Sequence, residues 1–463
     1  MKKRILSIAL CATMIMTVLT GCNNTKVMPD EPTDHPLTKD TIVADVTDDN
    51  PTKIDSTEND TKISKHDDSD QRFRLIEDSD DFIVNTEYNF DSDYSLNNIT
   101  TVLDYVERES DNVNENTILS ETSLNMALSL LLEGAGDNTE SYNALINYLS
   151  GCNYPNDFLR IRSRNNALIS RYMFAELNSR MSIANSAWFN TGVTPAPAYV
   201  DVLSAYYNGR TQSLDFSDAT SAEIINSWCD GATDGCIPSI ITPETLRMND
   251  GLLINALYFS GTWAAPFDEH NCRDAVFTNA DGSTSTVTMM YDYGYTTYYE
   301  SNWCEGFMKP YEDSNLVFIG ILPKENVDFA VNDLDIDDML SNPVRGYEVN
   351  IGIPQFKISD ENHLFNALYN NGLAPAFRSG NTDYLEYLSD TPLSVSDVIQ
   401  MTYVDVNPEG TEAAAVTAIT LEKSAAPVRD TEVHEIILDR PFVFMIYDTE
   451  AHECLFIGKI NSL

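Results

Sequence analysis

Residues 252–259 form a run that is apolar apart from Asn255 and lies between Gly251 and Gly261. A run of this length without polar alternation is typical of a strand buried on both of its faces. Further strands are predicted at residues 347–353, 442–447 and 455–460. The second half of the chain is therefore expected to be rich in strands.

A helix is predicted earlier in the chain, at residues 119–133, because leucine and alanine recur there at three- and four-residue spacing. Ser120 and Ser123 offer capping hydroxyls at its start, and the glycines of residues 134–136 suit a C-terminal cap. No repeat and no linker-like break follows residue 80. We therefore expect one large α+β domain over residues 81–463 rather than several small domains.

The N-terminus has the pattern of an export signal, with basic residues 2–4 followed by an apolar run at residues 5–19. The run is shorter than the roughly 20 residues of a membrane-spanning helix. It ends in Leu-Thr-Gly-Cys, which resembles the lipobox of bacterial lipoproteins. The expectation is a signal peptide at residues 1–21 and a lipidated Cys22, on an exported protein held at the outer face of the cell membrane. A plain secretory signal and an uncleaved anchor are the alternatives.

Residues 22–80 are rich in Asp, Thr, Asn, Ser and Pro, and their apolar residues are isolated. Such a segment buries too little surface to offset its chain entropy, so we interpret it as an acidic, disordered tether. A specific binding tail is the alternative. The whole chain has 28 basic and 72 acidic residues and a formal charge of −44, which excludes most nucleic-acid binders.

Signals for chemistry are weak. The sequence has no GxSxG, HExxH, GxxxxGK[ST] or strand-linked GxGxxG motif, and its histidines are scattered. Because these motifs are absent, we expect no enzyme activity and no cofactor. No CxxC pair or zinc spacing is present, so we also expect no metal site. Cys229 and Cys236 are near enough to pair, with free buried thiols as the alternative. Besides Cys11 and Cys22, the cysteines are Cys152, Cys229, Cys236, Cys272, Cys304 and Cys454.

The most informative segment is the hinge, which we define as Gly410, Thr411, Glu412, Ala413, Ala414 and Ala415. Alanine-rich runs usually indicate a helix, so a short surface helix or a loop is one interpretation. In a strand, however, Thr411, Ala413, Ala415 and Thr417 would share one face, and all are small. This segment can therefore slide between two strands, with Gly410 supplying backbone freedom.

The hinge resembles the reactive-loop signature of the serpins. Other blocks agree in order along the chain, and together they cover essentially all of residues 81–463. These blocks are residues 120–135, 182–185, 237–241, 255–263, 287–290, 353–356 and 439–444.

The resemblance implies a serpin fold with a large central β-sheet, two smaller sheets, surrounding helices and an exposed reactive loop. It also implies a monomeric suicide substrate that traps a serine protease when the cleaved loop inserts into the main sheet. A non-inhibitory binding or carrier protein with the same fold is the alternative. The resemblance assigns roles in opening the sheet to Trp263, Asn255, Ser120, Ser123 and Gln400.

Two residues depart from the family pattern. Pro408 replaces a usual glutamate, which can alter the rate of insertion, and Gln400 replaces a frequent histidine while keeping hydrogen-bonding capacity. Heparin-like activators need basic helices, of which this chain offers few.

Family spacing places the reactive bond at Ser424–Ala425, which suits elastase- or subtilisin-like proteases. A shorter spacing gives Lys423–Ser424, which suits trypsin-like proteases. Arg429 lies too far along for trapping.

Overall fold

A computed structural model describes residues 11–21, 82–411 and 433–463, with short gaps in the second range. The gaps are residues 87, 91–96, 151–157, 175–178, 296, 313–314, 326, 328, 332–333, 335, 343, 345–347, 378–384 and 386. The predicted lipidation site Cys22, the tether and the reactive loop beyond Thr411 lie outside the described residues, as does Cys152.

A seven-stranded central sheet positions the candidate site. Its path runs β1-β13-β14-β5-β3-β4, and β12 pairs with the outer side of β13. The strands are β1 (Cys11–Gly21), β3 (Arg180–Asn190), β4 (Gly209–Leu214), β5 (Gly251–Thr262), β12 (Phe356–His363), β13 (Leu393–Val406) and β14 (Gly410–Thr411). Both β1 and β14 pair with β5 and with β13.

Two smaller sheets complete the β-structure. The six-stranded sheet has the order β2-β17-β16-β10-β9-β8, and the four-stranded sheet has the order β15-β11-β7-β6. Their strands are β2 (Thr117–Leu119), β6 (Cys272–Thr278), β7 (Thr284–Tyr295), β8 (Thr297–Glu300), β9 (Cys304–Pro310), β10 (Leu316–Pro323), β11 (Glu348–Pro354), β15 (Val433–Ile437), β16 (Phe442–Asp448) and β17 (Glu453–Ile460).

Most helices precede the sheet-rich half of the chain, and α2 packs against β5 under the central sheet. Every residue of α2 is buried. The helices are α1 (Asn97–Glu109), α2 (Glu121–Gly134), α3 (Glu140–Leu149), α4 (Phe158–Phe174), α5 (Pro197–Tyr207), α6 (Ala219–Ala232), α7 (Pro243–Arg247), α8 (Ile336–Ser341), α9 (Phe365–Leu368) and α10 (Ala374–Phe377). The described residues also include a 3-10 turn at Glu269–Asn271 and a π turn at Tyr369–Leu373.

The predicted α+β fold with one large and two smaller sheets is confirmed. The apolar run 252–259 lies inside β5 and is buried at every position. The other three predicted strands correspond to β11, β16 and β17. Among the helices in the described ranges, none is long and apolar enough to cross a membrane.

The ends of α2 match the prediction only in part. The Ser120 hydroxyl caps the helix by accepting from the Ser123 N–H, but Ser123 itself is not a cap. The predicted glycine cap is wrong, because Ala135 follows the helix with an extended backbone. Gly134 is needed for packing instead, since a Cβ there would lie 2.9 Å from the Leu388 Cβ.

Cys229 and Cys236 are not joined by a disulfide; Cys229 is buried, as the second alternative expects, whereas Cys236 is only partly buried. The sequence did not predict a strand at Cys11–Gly21, which pairs with β5 and with β13 along its length.

Candidate functional site

The candidate site is the strand position between β5 and β13, which we call the central gap. Both strands pair antiparallel with β1, so they run in the same direction with one strand position between them. At one end of this gap lies β14, which is the start of the hinge. Gly410 lies opposite Thr262, and Thr411 lies opposite both Gly261 and Val406. The chain after β13 has thus turned back and entered the sheet by two residues.

Gly410 is required by space rather than by backbone freedom, contrary to the prediction. A Cβ at this position would lie 2.1 Å from the Gly261 carbonyl oxygen, closer than any side chain can approach. The absence of a side chain therefore allows the hinge backbone to reach β5.

Thr411 is completely buried. Its hydroxyl lies 2.7 Å from the Tyr311 hydroxyl, so each buried hydroxyl has a hydrogen-bond partner. A small polar side chain fits this position, whereas a long or charged one would lose its water without gaining a partner.

Residues 407–410 form the turn that reverses the chain into the gap. The Gly410 N–H donates to the Asn407 carbonyl at 3.3 Å, and the Asn407 N–H donates to the Gly410 carbonyl at 3.0 Å. Pro408 occupies the second position of this turn, where proline presets the required φ and no N–H is needed. The Asn407 side-chain oxygen accepts from the N–H groups of Glu409 and Gly410. Pro408 therefore stabilises the turn that leads from β13 into β14.

Trp263 secures the outer side of this turn. Its indole N–H donates to the Asn407 carbonyl at 3.0 Å, and its backbone N–H donates to the Glu409 carbonyl at 3.0 Å. The ring stacks on Tyr311 with centroids 4.6 Å apart. Trp263 thus lies beside the turn that leads into β14.

A buried cation lies beside the tryptophan. The Lys309 ammonium donates to the Ala265 carbonyl at 2.8 Å and contacts Asp292 at 2.9 Å. Burial lowers the pKa of Lys309, while the Asp292 carboxylate acts in the opposite direction. The ammonium also lies 4.2 Å from the centroid of the Phe267 ring. Sequence reasoning missed Lys309, Asn407 and Tyr311, of which only the Asn-Pro turn pattern at residue 407 gave a local signal.

The remaining predicted residues form a second cluster deeper under the sheet. Asn255 precedes Trp263 by eight residues along β5, which is about 26 Å in a strand. Gln400 makes two hydrogen bonds to the Ser120 backbone, accepting from its N–H at 3.1 Å and donating to its carbonyl at 3.0 Å. Glutamine thus serves as donor and acceptor at once, and both residues are fully buried.

Ser123 and Asn255 continue this cluster across the sheet. The Ser123 hydroxyl donates to the Asn255 side-chain oxygen at 2.5 Å. The Asn255 amide donates to the Asn185 side-chain oxygen at 2.9 Å, and the Asn185 amide donates to the Tyr207 carbonyl at 2.9 Å. The chain of bonds ties α2 to β5 and β3. Any movement of these strands must therefore break or shift buried polar contacts.

The three buried thiols among the described residues are suited to packing rather than catalysis. Burial raises the pKa of Cys229, Cys304 and Cys454, whereas a nucleophilic cysteine needs a lowered pKa. Within the described ranges, no group of three or more His, Cys, Asp or Glu side chains can hold a metal ion. The rest of the hinge, Glu412 to Ala415, and the candidate bonds at Lys423, Ser424 and Ala425 lie outside the described residues.

The sequence profile of the serpin (serine protease inhibitor) family matches residues 97–463. An uncharacterised serpin-like protein of Methanosarcina mazei is 29% identical over 357 residues, which cover 75% of this chain and 81% of that protein. The leukocyte elastase inhibitor of the horse is 28% identical over 363 residues, which cover 75% and 93%.

Solved structures show the same fold. The native state of the thermophilic serpin tengpin matches with a TM-score of 0.69 and 25% identity, covering 83% of this chain and 97% of that one. Thyroxine-binding globulin in complex with thyroxine matches with a TM-score of 0.66 and 22% identity, covering 80% and 98%. Serpins in general inhibit serine proteases and are not catalysts. The profile match, the order of the three sheets and the hinge in the central gap agree: the chain belongs to the serpin family.

Proposed function

We propose that this protein is a suicide-substrate inhibitor of serine proteases. A target protease attacks the reactive loop and forms an acyl-enzyme with the carbonyl of the bait residue. The cleaved loop then inserts into the central sheet and distorts the protease before water can release it. The proposal rests on the position of the hinge in the central gap. Gly410 and Thr411 pair with β5, and Thr411 also pairs with β13.

The register of β14 determines where an inserted loop would lie. Thr411 is opposite Gly261, and the strands are antiparallel. A straight continuation therefore brings Ala413 opposite Phe259 and Leu421 opposite Gly251, which is the first residue of β5. On the β5 side, the register therefore continues unbroken to the first residue of that strand.

The side chains of an inserted loop would suit the two faces of the sheet. Thr411 points into the interior, so every second residue after it would do the same. These inward residues are Ala413, Ala415, Thr417, Ile419 and Leu421, all small or apolar. Glu412 belongs to the opposite face. Insertion thus adds ladder hydrogen bonds and apolar burial without placing a charge in the core.

Both candidate reactive bonds fit this register. Lys423 and Ser424 follow Leu421 by two and three residues, directly beyond the end of the gap. Cleavage after either residue leaves a segment that fills the gap, whereas cleavage after Arg429 leaves a longer unpaired tail. The target class is therefore elastase- or subtilisin-like for Ser424–Ala425 and trypsin-like for Lys423–Ser424.

A protease panel tests this proposal. Incubation of the processed chain, residues 22–463, with subtilisin, elastase and trypsin should give a covalent complex that survives boiling in detergent with at least one of them. Mass spectrometry of the released C-terminal fragment then identifies the bait bond. If all three proteases cleave the loop and leave with full activity, inhibition of these classes is wrong.

We further propose that residues 1–21 are removed as a lipoprotein signal, that lipid on Cys22 anchors the protein to the outer face of the membrane, and that residues 22–80 hold the serpin domain away from it. Cys22→Ala removes the acylated thiol. It should release the protein into the medium or leave an unprocessed precursor, as membrane fractionation and the N-terminal mass will show. Unchanged membrane fractionation would contradict lipidation.

A carrier role is the second candidate, because the structure contains a surface cavity of about 830 Å³ beside α1 and the end of β17. Four basic residues line it, and each contacts a carboxylate: Arg108 contacts Asp104 at 3.0 Å, Lys324 contacts Glu300 at 2.8 Å, Arg440 contacts Asp439 at 3.3 Å, and Lys459 contacts Glu107. Local pairing leaves little net positive charge for an anionic ligand. A carrier needs no loop insertion, so loop cleavage would leave its melting temperature unchanged.

A further inference from the structure

The strand Cys11–Gly21 fills most of the central gap. Its residues from Cys11 to Leu19 lie opposite β5 from Phe259 to Gly251. Its other edge pairs with β13 from Tyr403 to Leu393, with one irregularity after Val18. The gap thus contains β14 at one end and β1 along the remainder, with one position, opposite Ser260, between them.

The N-terminal strand and an inserted loop would need the same partners. Continuing the hinge register brings Ala413 opposite Phe259, where Cys11 lies, and Leu421 opposite Gly251, where Leu19 lies. The two segments also run in the same direction. Because a sheet position holds one strand, each segment excludes the other from the gap along its whole length.

We propose that the segment Cys11–Gly21 is an intramolecular competitor of the reactive loop, so that a chain retaining it is a protease substrate and a chain lacking it is an inhibitor. Trapping is a race between loop insertion and hydrolysis of the acyl-enzyme. In the retained chain, β1 must leave before the loop can enter, so water releases the protease first. This inference rests on the proposed inhibitory function.

Signal removal would act as the switch. Hydrolysis of the Gly21–Cys22 peptide bond consumes one water, which adds its hydroxyl to the Gly21 carbonyl and its remaining hydrogen to the Cys22 amine. The released peptide is no longer tied to the domain, so the gap becomes available to the loop. All the other described strands and helices lie within residues 97–463, so this removal leaves the rest of the fold intact.

The direct test compares residues 1–463, made in a membrane-free system that does not process the signal, with residues 22–463. Each chain is titrated against the protease that the panel identifies. If the gap is open in fewer than about a tenth of the full-length chains, the trapped fraction falls by more than about tenfold, while cleavage of the loop continues. Equal trapping by the two chains would overturn the proposal.

A pair of matched variants isolates β1 from other effects of the extra residues. Met16 lies opposite Ile254 and Ile399, so both edges of the strand are paired there. In the full-length chain, Met16→Pro removes an N–H from the ladder and should restore trapping. Met16→Leu keeps the backbone and should not. Trapping that is unchanged by Met16→Pro, or restored equally by both variants, counts against the proposal.

A cross-link tests the position of the strand without any protease. Met14 lies opposite Met401, and opposed residues on neighbouring strands share a face. With Cys11 and Cys22 changed to serine, Met14→Cys and Met401→Cys should form a disulfide, detected by peptide mass. Thr20→Cys with Met401→Cys is the control, because Thr20 lies opposite Ser394. If the first pair forms no more disulfide than the control pair, β1 does not occupy the gap and the proposal is wrong. Cross-linking together with absent trapping by residues 22–463 would reject the inhibitory function instead.

Discussion

Thr411→Arg should convert the processed chain from an inhibitor into a substrate. Thr411 is fully buried, and its hydroxyl forms a hydrogen bond with the Tyr311 hydroxyl. An unpaired buried charge costs several kcal/mol, and about 1.4 kcal/mol is already a factor of ten. The hinge would leave the gap, and insertion would become slower than hydrolysis of the acyl-enzyme.

The measurement is the stoichiometry of inhibition, the number of inhibitor molecules consumed for each protease trapped, which should rise roughly tenfold or more. The rate of loop cleavage should remain similar, because the substitution is distant from both candidate bonds. Glu409→Arg is the matched control, since Glu409 lies two residues away and is exposed. Retained trapping by Thr411→Arg, with a stoichiometry equal to that of the control, would contradict insertion of the hinge.

Four of the strands and the α+β class could be predicted because their apolar patterns are local. The run 252–259 has no polar residue apart from Asn255, and burial on both faces of β5 requires that composition. Asn255 breaks the run because it bonds to Ser123 and Asn185 within the core. The family resemblance indicated the position of this residue, but its partners depend on strands distant in sequence.

Local patterns could not reveal the contacts that hold the hinge. Tyr311 and Thr411 are 100 residues apart, and nothing near either residue indicates the pairing. The glycines were predicted for the wrong reason, because Gly134 and Gly410 are required by close neighbours rather than by unusual backbone angles. Close approach between distant segments is a tertiary property.

The pairing of β1 also depends on segments that are distant in sequence, so local patterns could not predict it. Residues 5–19 have the composition of an export signal, and an apolar run of this kind is also compatible with a buried strand. Residues 5–19 can form a buried strand only if the folded chain has an open strand position to receive them. The central gap is such a position, since both of its walls present unpaired backbone groups when it is empty.

Cleavage of the reactive loop should raise the melting temperature of the processed chain by roughly 10 °C or more. An inserted loop adds nine positions opposite β5, from Ala413 to Leu421. At about 1 kcal/mol net for each hydrogen-bonded position, the gain is of the order of 10 kcal/mol. Unfolding entropy is about 2.1 cal/mol/K per residue, which converts this gain to roughly 13 °C for a domain spanning residues 97–463.

Comparing cleaved chains separates the three possibilities for this protein. In an inhibitory serpin, residues 22–463 show the rise after cleavage, because the gap is free until the loop enters it. A carrier shows no rise in either chain, because its loop stays outside the sheet. If β1 competes with the loop, residues 1–463 show no rise although residues 22–463 do, since the gap is already filled before cleavage. A large rise in the full-length chain would mean that the loop displaces β1, and the N-terminal strand would then not control trapping.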